Sequence, residues 1–133
     1  MQMPFSSRGG PVTENRTIFV IDDDEAVRNS VKFSLEIEGY TVAAFASGDD
    51  ILDQMPLPAC SCLVIDYWLP KLNGLALLYR LRTAGIDAPA LITTTNPASL
   101  LRARIASAGA GIVEKPLVGD ALVEAVKSAI RPA

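Results

Sequence analysis

Five short apolar runs, TIFVI, TVAAF, SCLVI, PALIT and GIV, alternate along the chain with five amphipathic stretches, EAVRNSVKFSLEIEG, GDDILDQM, GLALLYRLRTAG, ASLLRARIASAGA and GDALVEAVKSAI. No other feature narrows the choice of fold as far. Apolar runs of four or five residues with no polar alternate suit strands buried on both faces, as in a parallel sheet covered by helices. The expected architecture is an α/β, doubly wound (βα)5 sandwich with a central five-stranded parallel sheet. The chain has 133 residues, half of them hydrophobic, which is enough for one domain with a substantial core.

Local signals place the helix ends. Asp24 is expected to cap the first helix, in which Val27, Val31 and Leu35 repeat at i, i+4 and i+8, and Gly39 is expected to stop it. Ser47 and Asp50 resemble a capping box, and Pro97 or Ala98 is expected to open the fourth helix after Asn96. Residues 1–16, rich in Gly, Ser, Pro and Asn, read as a flexible lead-in, and the domain is taken as 17–131. Only Arg131, Pro132 and Ala133 follow the fifth helix, so a stand-alone module without an output domain is expected.

Charge narrows the function classes. A net charge of −3 and a pI near 4.8 give no global attraction for nucleic acid or for an anionic membrane surface. No apolar run approaches the ~20 residues needed to span a bilayer, and the opening residues lack the apolar centre of a secretory signal, so a cytoplasmic location is expected. Cys60 and Cys62 form a C-x-C with no further cysteine and no histidine, and are expected to be reduced thiols rather than zinc ligands.

In an open α/β sheet, ligands bind outside the carboxyl ends of the strands, near the point where strand order reverses. The residues expected just beyond the strands are Asp22 and Asp23 after the first, Asp66 after the third, Thr94 and Thr95 after the fourth, and Lys115 after the fifth. Neighbouring carboxylates ~4 Å apart repel by roughly 4 kcal/mol at an effective dielectric of ~20, so the succession Asp22, Asp23, Asp24 calls for water or a cation. Three carboxylates gathered without His or Cys make a hard, oxygen-rich site suited to Mg²⁺ or Mn²⁺. A cation there would also draw in a phosphoryl group.

Taken together, the strand followed by Asp22 and Asp23, the D-x3-P-x3-G spacing of DYWLPKLNGL, the hydroxyl residue after the fourth strand and the final EKPL resemble the receiver domain of bacterial two-component response regulators, the CheY-like family. VIDDDEAVR is similar to the receivers of nitrogen-fixation and LuxR-type regulators in particular. The resemblance implies a flavodoxin-like strand order, 2-1-3-4-5. It implies that Asp66 is the phosphoacceptor, supplied by a sensor histidine kinase or phosphotransfer protein. Asp22 and Asp23 would hold Mg²⁺ together with the Asp66 carboxylate and the backbone carbonyl of Trp68. Thr94 would hydrogen-bond a phosphoryl oxygen, Lys115 would pair with another, and Lys115–Pro116 would be a cis peptide. On this likeness the chain is a switch rather than an enzyme, and its output face is formed by the fourth helix, fifth strand and fifth helix. That face is often used for dimerisation, here with Arg102, Arg104, Glu114 and Glu124 able to make intermolecular ion pairs.

Three positions depart from the family pattern. Ile112 stands where receivers usually carry an aromatic, Thr95 where they carry Ala or Gly, and the large ring of Trp68 stands two residues after the phosphoacceptor. Thr95 is expected to crowd the phosphodonor, and Trp68 either to shield the acyl phosphate or to cover an apolar patch. Two other readings stay open: a phosphorylation-independent binding scaffold, and a haloacid-dehalogenase-type phosphohydrolase with Asp22 as nucleophile and Asp24 as general acid, although Ala26 stands where that family has Thr or Val.

Overall fold

The computed structural model describes residues 17–130; the lead-in expected at 1–16 and the terminal residues 131–133 lie outside them. Strands and helices alternate: β1 (Thr17–Ile21), α1 (Glu25–Ile37), β2 (Thr41–Phe45), α2 (Gly48–Asp53), β3 (Cys62–Asp66), α3 (Gly74–Thr83), β4 (Ala90–Thr94), α4 (Ser99–Ser107), β5 (Gly111–Glu114) and α5 (Ala121–Ile130). All strand pairs are parallel and the order is β2-β1-β3-β4-β5, the doubly wound arrangement expected from the alternation. The order reverses between β1 and β3, which brings their carboxyl ends, and with them Asp22 and Asp66, side by side.

The sheet separates two cores. Phe19, Ile21, Leu63, Ile65 and Ile92 face Ile51, Leu77, Leu78, Leu81 and Ile105 on the side of α2, α3 and α4. Ile18, Val20, Cys62 and Val64 face Val31, Leu35, Leu122 and Val126 on the side of α1 and α5. Successive strand residues point to opposite faces and both faces are covered, so β1, β3 and β4 need apolar residues nearly throughout. The outer strands β2 and β5 are only partly buried, because each lacks a neighbour on one side.

The helix starts follow local chemistry. The Asp24 carboxylate accepts the Val27 N–H at 3.1 Å and the Ser47 hydroxyl accepts the Asp50 N–H at 3.1 Å, each satisfying an amide that has no partner within its helix. Gly39 adopts φ +99°, the left-handed conformation that ends α1. The start of α4 differs from expectation by one or two residues. Asn96 takes φ +43°, Ala98 is the capping residue without a side-chain bond, and the helix opens at Ser99. Asp66 and Thr94, expected just beyond their strands, are the last residues of β3 and β4.

Candidate functional site

The acidic group assembles from two strand ends. One carboxylate oxygen from each of Asp22, Asp23 and Asp66 lies within 4.8 Å of the others. Asp22 and Asp66 are each only 4% exposed, whereas Asp23 faces solvent. The Asp22 backbone is fixed on both sides: its N–H donates to the Phe45 carbonyl at 3.1 Å and its own carbonyl accepts from Arg28 at 2.8 Å. Its Oδ1 accepts the Asp24 N–H at 2.9 Å. Asp24 is thereby a helix cap, with its Oδ1 engaged by the Val27 N–H of α1.

Lys115 supplies the counter-charge. Its Nζ lies 3.2 Å from Asp22 Oδ2 and 3.3 Å from Asp66 Oδ1, and bridges the two buried carboxylates. The fold delivers it there because β5 pairs with β4 and the Lys115 N–H donates to the Thr94 carbonyl at 2.8 Å. Lys115–Pro116 is cis, as the resemblance implies, and so is Met55–Pro56, which no sequence feature had singled out.

Burial, and then the Asp22 charge, push the Asp66 carboxyl above its ordinary range, and Lys115 only partly reverses this. For Lys115, burial opposes ionisation, but Asp22 and Asp66 outweigh it and hold the ammonium above its ordinary value. Asp66 Oδ1 also accepts a long hydrogen bond, 3.4 Å, from the Trp68 N–H. Thr94 is 1% exposed, and its hydroxyl is the one buried side-chain polar atom among the described residues that has no hydrogen-bond partner. Such an atom costs roughly 1–3 kcal/mol unless a partner arrives.

The glycine of the D-x3-P-x3-G spacing has a steric cause that spacing alone did not reveal. A Cβ on Gly74 would collide with the Asp66 carbonyl oxygen and sit 2.9 Å from Tyr67 Cα, while the Gly74 N–H donates to the Tyr67 carbonyl at 2.8 Å. Close backbone contact of α3 with the loop after Asp66 holds the carboxylate in position, and only glycine permits it.

The departing residues occupy different surroundings. Thr95 is exposed beside the site, Ile112 packs against the core on the α4 side, and Trp68 is 67% exposed with its ring edge-on to Tyr67 at 4.9 Å. Arg102, one of the residues able to make intermolecular ion pairs, pairs with Glu114 of its own chain at 2.6 Å. Cys60 and Cys62 are both free thiols, and burial pushes them up to about 11 and about 12. They pack on opposite faces of the sheet.

The donor set fits a divalent cation: three carboxylates converge with no His or Cys among them, which favours a hard ion held by oxygen.

Comparison with known proteins gives a consistent result. The response regulator receiver domain family matches residues 18–127. The chain is 36% identical over 123 residues to the transcriptional regulatory protein FixJ of Bradyrhizobium diazoefficiens, covering 92% of this chain and 60% of that protein. It is 34% identical to the response regulator MprA of Mycobacterium avium, covering 86% and 50%. The chain thus spans half to three-fifths of the length of these relatives. A CheY-like receiver domain protein of Methanospirillum hungatei superposes with a TM-score of 0.79 at 26% identity, covering 86% of this chain and 93% of that one.

Proposed function

Because the chain belongs to the response regulator receiver domain family of two-component signalling, we propose that Asp66 accepts a phosphoryl group from a histidine kinase or phosphotransfer protein, and that the domain signals by protein–protein contact. The family is generally a signalling switch rather than an enzyme. The observation that carries the reading is the bridge from Lys115 Nζ to Asp66 and Asp22, 3.3 and 3.2 Å long. It sets a cation against the buried carboxylate and partly offsets the burial and the Asp22 charge that oppose its ionised, nucleophilic form.

In the proposed transfer, an Asp66 carboxylate oxygen forms a bond to phosphorus as the P–N bond of the donor phosphohistidine breaks. Phosphorylation turns one negative charge into about two and adds acceptor oxygens. The unpartnered Thr94 hydroxyl then has an acceptor to donate to, and Lys115 can pair with a phosphoryl oxygen. Asp22, Asp23, Asp66 and the backbone carbonyl of Trp68 are the proposed ligands of Mg²⁺ or Mn²⁺. That ion supplies electrostatic screening of the incoming phosphoryl charge. Only slow self-phosphorylation and self-dephosphorylation are proposed beyond this.

An apolar face beside the site supports docking of a phosphodonor protein. Ala26, Val27 and Val31 of α1 line a hollow of about 320 Å³ with Lys115, Leu117 and the exposed Val118, so a partner seated there is already next to the acidic group. A homodimer through α4, β5 and α5 remains part of the proposal. Arg102 and Glu114, paired inside one chain, lie on that face, and unaltered sedimentation after Arg102→Glu would count against the dimer.

The domain is proposed to span 17–131. No helix among the described residues is long and apolar enough to cross a membrane, and the two free thiols suit the reducing cytoplasm proposed as its location. Stand-alone action is checked by the mass of the native protein recovered from its source cells. A 14.1 kDa species agrees with it, and a larger one gives the domain an attached partner.

The test of the switch is intact mass spectrometry after incubation with Mg²⁺ and acetyl phosphate or phosphoramidate. One phosphoryl adduct is expected on the wild type, none on Asp66→Asn, and none in chelator. No adduct from either donor leaves the scaffold reading, with the exposed Thr95 as the obstacle.

A further inference from the structure

Charge is segregated along the sequence, and the fold turns that into a surface. Residues 22–53 hold nine acidic and two basic residues, whereas 67–113 hold five basic residues and only Asp87. Helices α3 and α4 carry four arginines and no Asp or Glu. They lie on the same side of the sheet, and between them runs a groove of about 600 Å³ lined by Tyr67, Tyr79, Leu100, Ala103, Arg104 and Ser107, among others. Leu100 is 64% and Tyr79 54% exposed, large apolar surface left uncovered on both walls.

Two of the four arginines are used internally. Arg82 donates to the carbonyls of Ile86 and Ala88, and Arg102 to Glu114 and the Pro97 carbonyl. Arg80 and Arg104 are exposed, and neither guanidinium has a hydrogen bond or ion pair among the described residues. The groove therefore offers apolar walls with an unspent cation at its margin, and no carboxylate lines it.

We infer that the α3–α4 groove is a docking site for an acidic amphipathic helix of a partner protein. A helix laid between two helices buries its apolar stripe at i, i+3, i+4 and i+7. Leu100, Ala103, Arg104 and Ser107 present that spacing over about 11 Å of α4. The partner's carboxylates pair with Arg104 and Arg80, and its leucines or aromatics cover Leu100 and Tyr79. The site is distinct from the hollow beside α1, and its occupancy does not depend on phosphorylation of Asp66.

The test titrates the full, unphosphorylated chain into two fluorescent peptides of about 15 residues, read by anisotropy. Both share one apolar stripe, and their polar face is Glu in one and Lys in the other. The Glu peptide is expected to bind at least about tenfold more tightly than the Lys peptide, and to weaken as salt rises from about 50 to about 500 mM. Leu100→Asp and Arg104→Glu are expected each to weaken it about tenfold, while Lys32→Glu, on the opposite face, leaves it unchanged; far-UV circular dichroism checks that all three fold. Equal binding of the two peptides, an equal loss with Lys32→Glu, or no binding of the Glu peptide at about 1 mM overturns the inference.

Discussion

Strand β3 begins with Cys62 and ends with Asp66, two acids buried to nearly the same degree, 0% and 4% exposed, and desolvation pushes the proton affinity of both upward. Their surroundings answer that push in opposite ways. At the amino end no cation among the described residues offsets the burial of Cys62, and the thiol packs as a small apolar group. At the carboxyl end neutrality would remove the nucleophile, and the fold instead brings Lys115 to 3.3 Å. One end of the sheet stores stability and the other stores unmet charge and an unpaired hydroxyl for use in chemistry.

The largest expected effect lies at the amino end at high pH. The Cys62 thiol rises from 9.0 to about 12 on folding, so the folded state keeps a proton that the unfolded chain loses. Its stability contribution is complete below pH 9 and disappears as pH climbs toward 12, at a rate on the order of 1 kcal/mol per pH unit. Urea unfolding at pH 8, 9, 10 and 11 should show this fall, and Cys62→Val should reduce it by about half, the remainder coming from Cys60, which rises to about 11. An unchanged slope in the variant would remove Cys62 as its source.

Gly74→Ala breaks the carboxyl end by force, because its Cβ meets backbone rather than a movable side chain. A loss of about 1–3 kcal/mol is expected from overpacking, together with slower adduct formation on Asp66. Wild-type values in both measurements would mean that the loop after β3 yields easily.

Removing the charge at that end should do the reverse. Asp66→Asn is expected to raise metal-free stability by about 0.5–2 kcal/mol, as relief of strain at a functional site does. Asp66 is raised on folding, so its stability contribution is present below the ordinary carboxylate range and lost as pH rises through the folded value. The variant's advantage should therefore appear at neutral pH and vanish in acid, and Mg²⁺ should stabilise only the wild type. A destabilised Asp66→Asn at pH 7 would show that the Lys115 bridge outweighs burial and the Asp22 repulsion.

The smallest effect concerns Thr94. Thr94→Val keeps the β-branched shape and deletes the unpartnered hydroxyl, so stability should rise by up to about 1 kcal/mol in thermal unfolding. A loss would mean that the hydroxyl is satisfied in solution.

Much of this was legible in the sequence, because it depends on short-range chemistry. Capping by Asp24 and Ser47 and the stop at Gly39 each involve residues within a few positions. The double burial of β1, β3 and β4 was written in their unbroken apolar runs. The start of α4 was misplaced because Asn96 takes a positive φ that lets the chain turn past Pro97 before the helix begins. That Arg102 lies near Glu114 follows from the order of elements, but whether the two pair within one chain or between chains depends on side-chain reach, which only the folded structure supplies.

The sequence alone determined which residue types stand at the strand ends, three carboxylates, a hydroxyl and a lysine, since the order of elements and the position of each strand end follow from local pattern. Only the tertiary structure decided what those groups do to one another. The Lys115 bridge joins residues 93 positions apart, the solitude of the Thr94 hydroxyl depends on everything packed around it, and Gly74 is required by a backbone eight residues upstream. Electrostatic and steric terms act through space over a few ångströms, and chain distance carries almost no information about such separations once a parallel sheet has brought remote strand ends together.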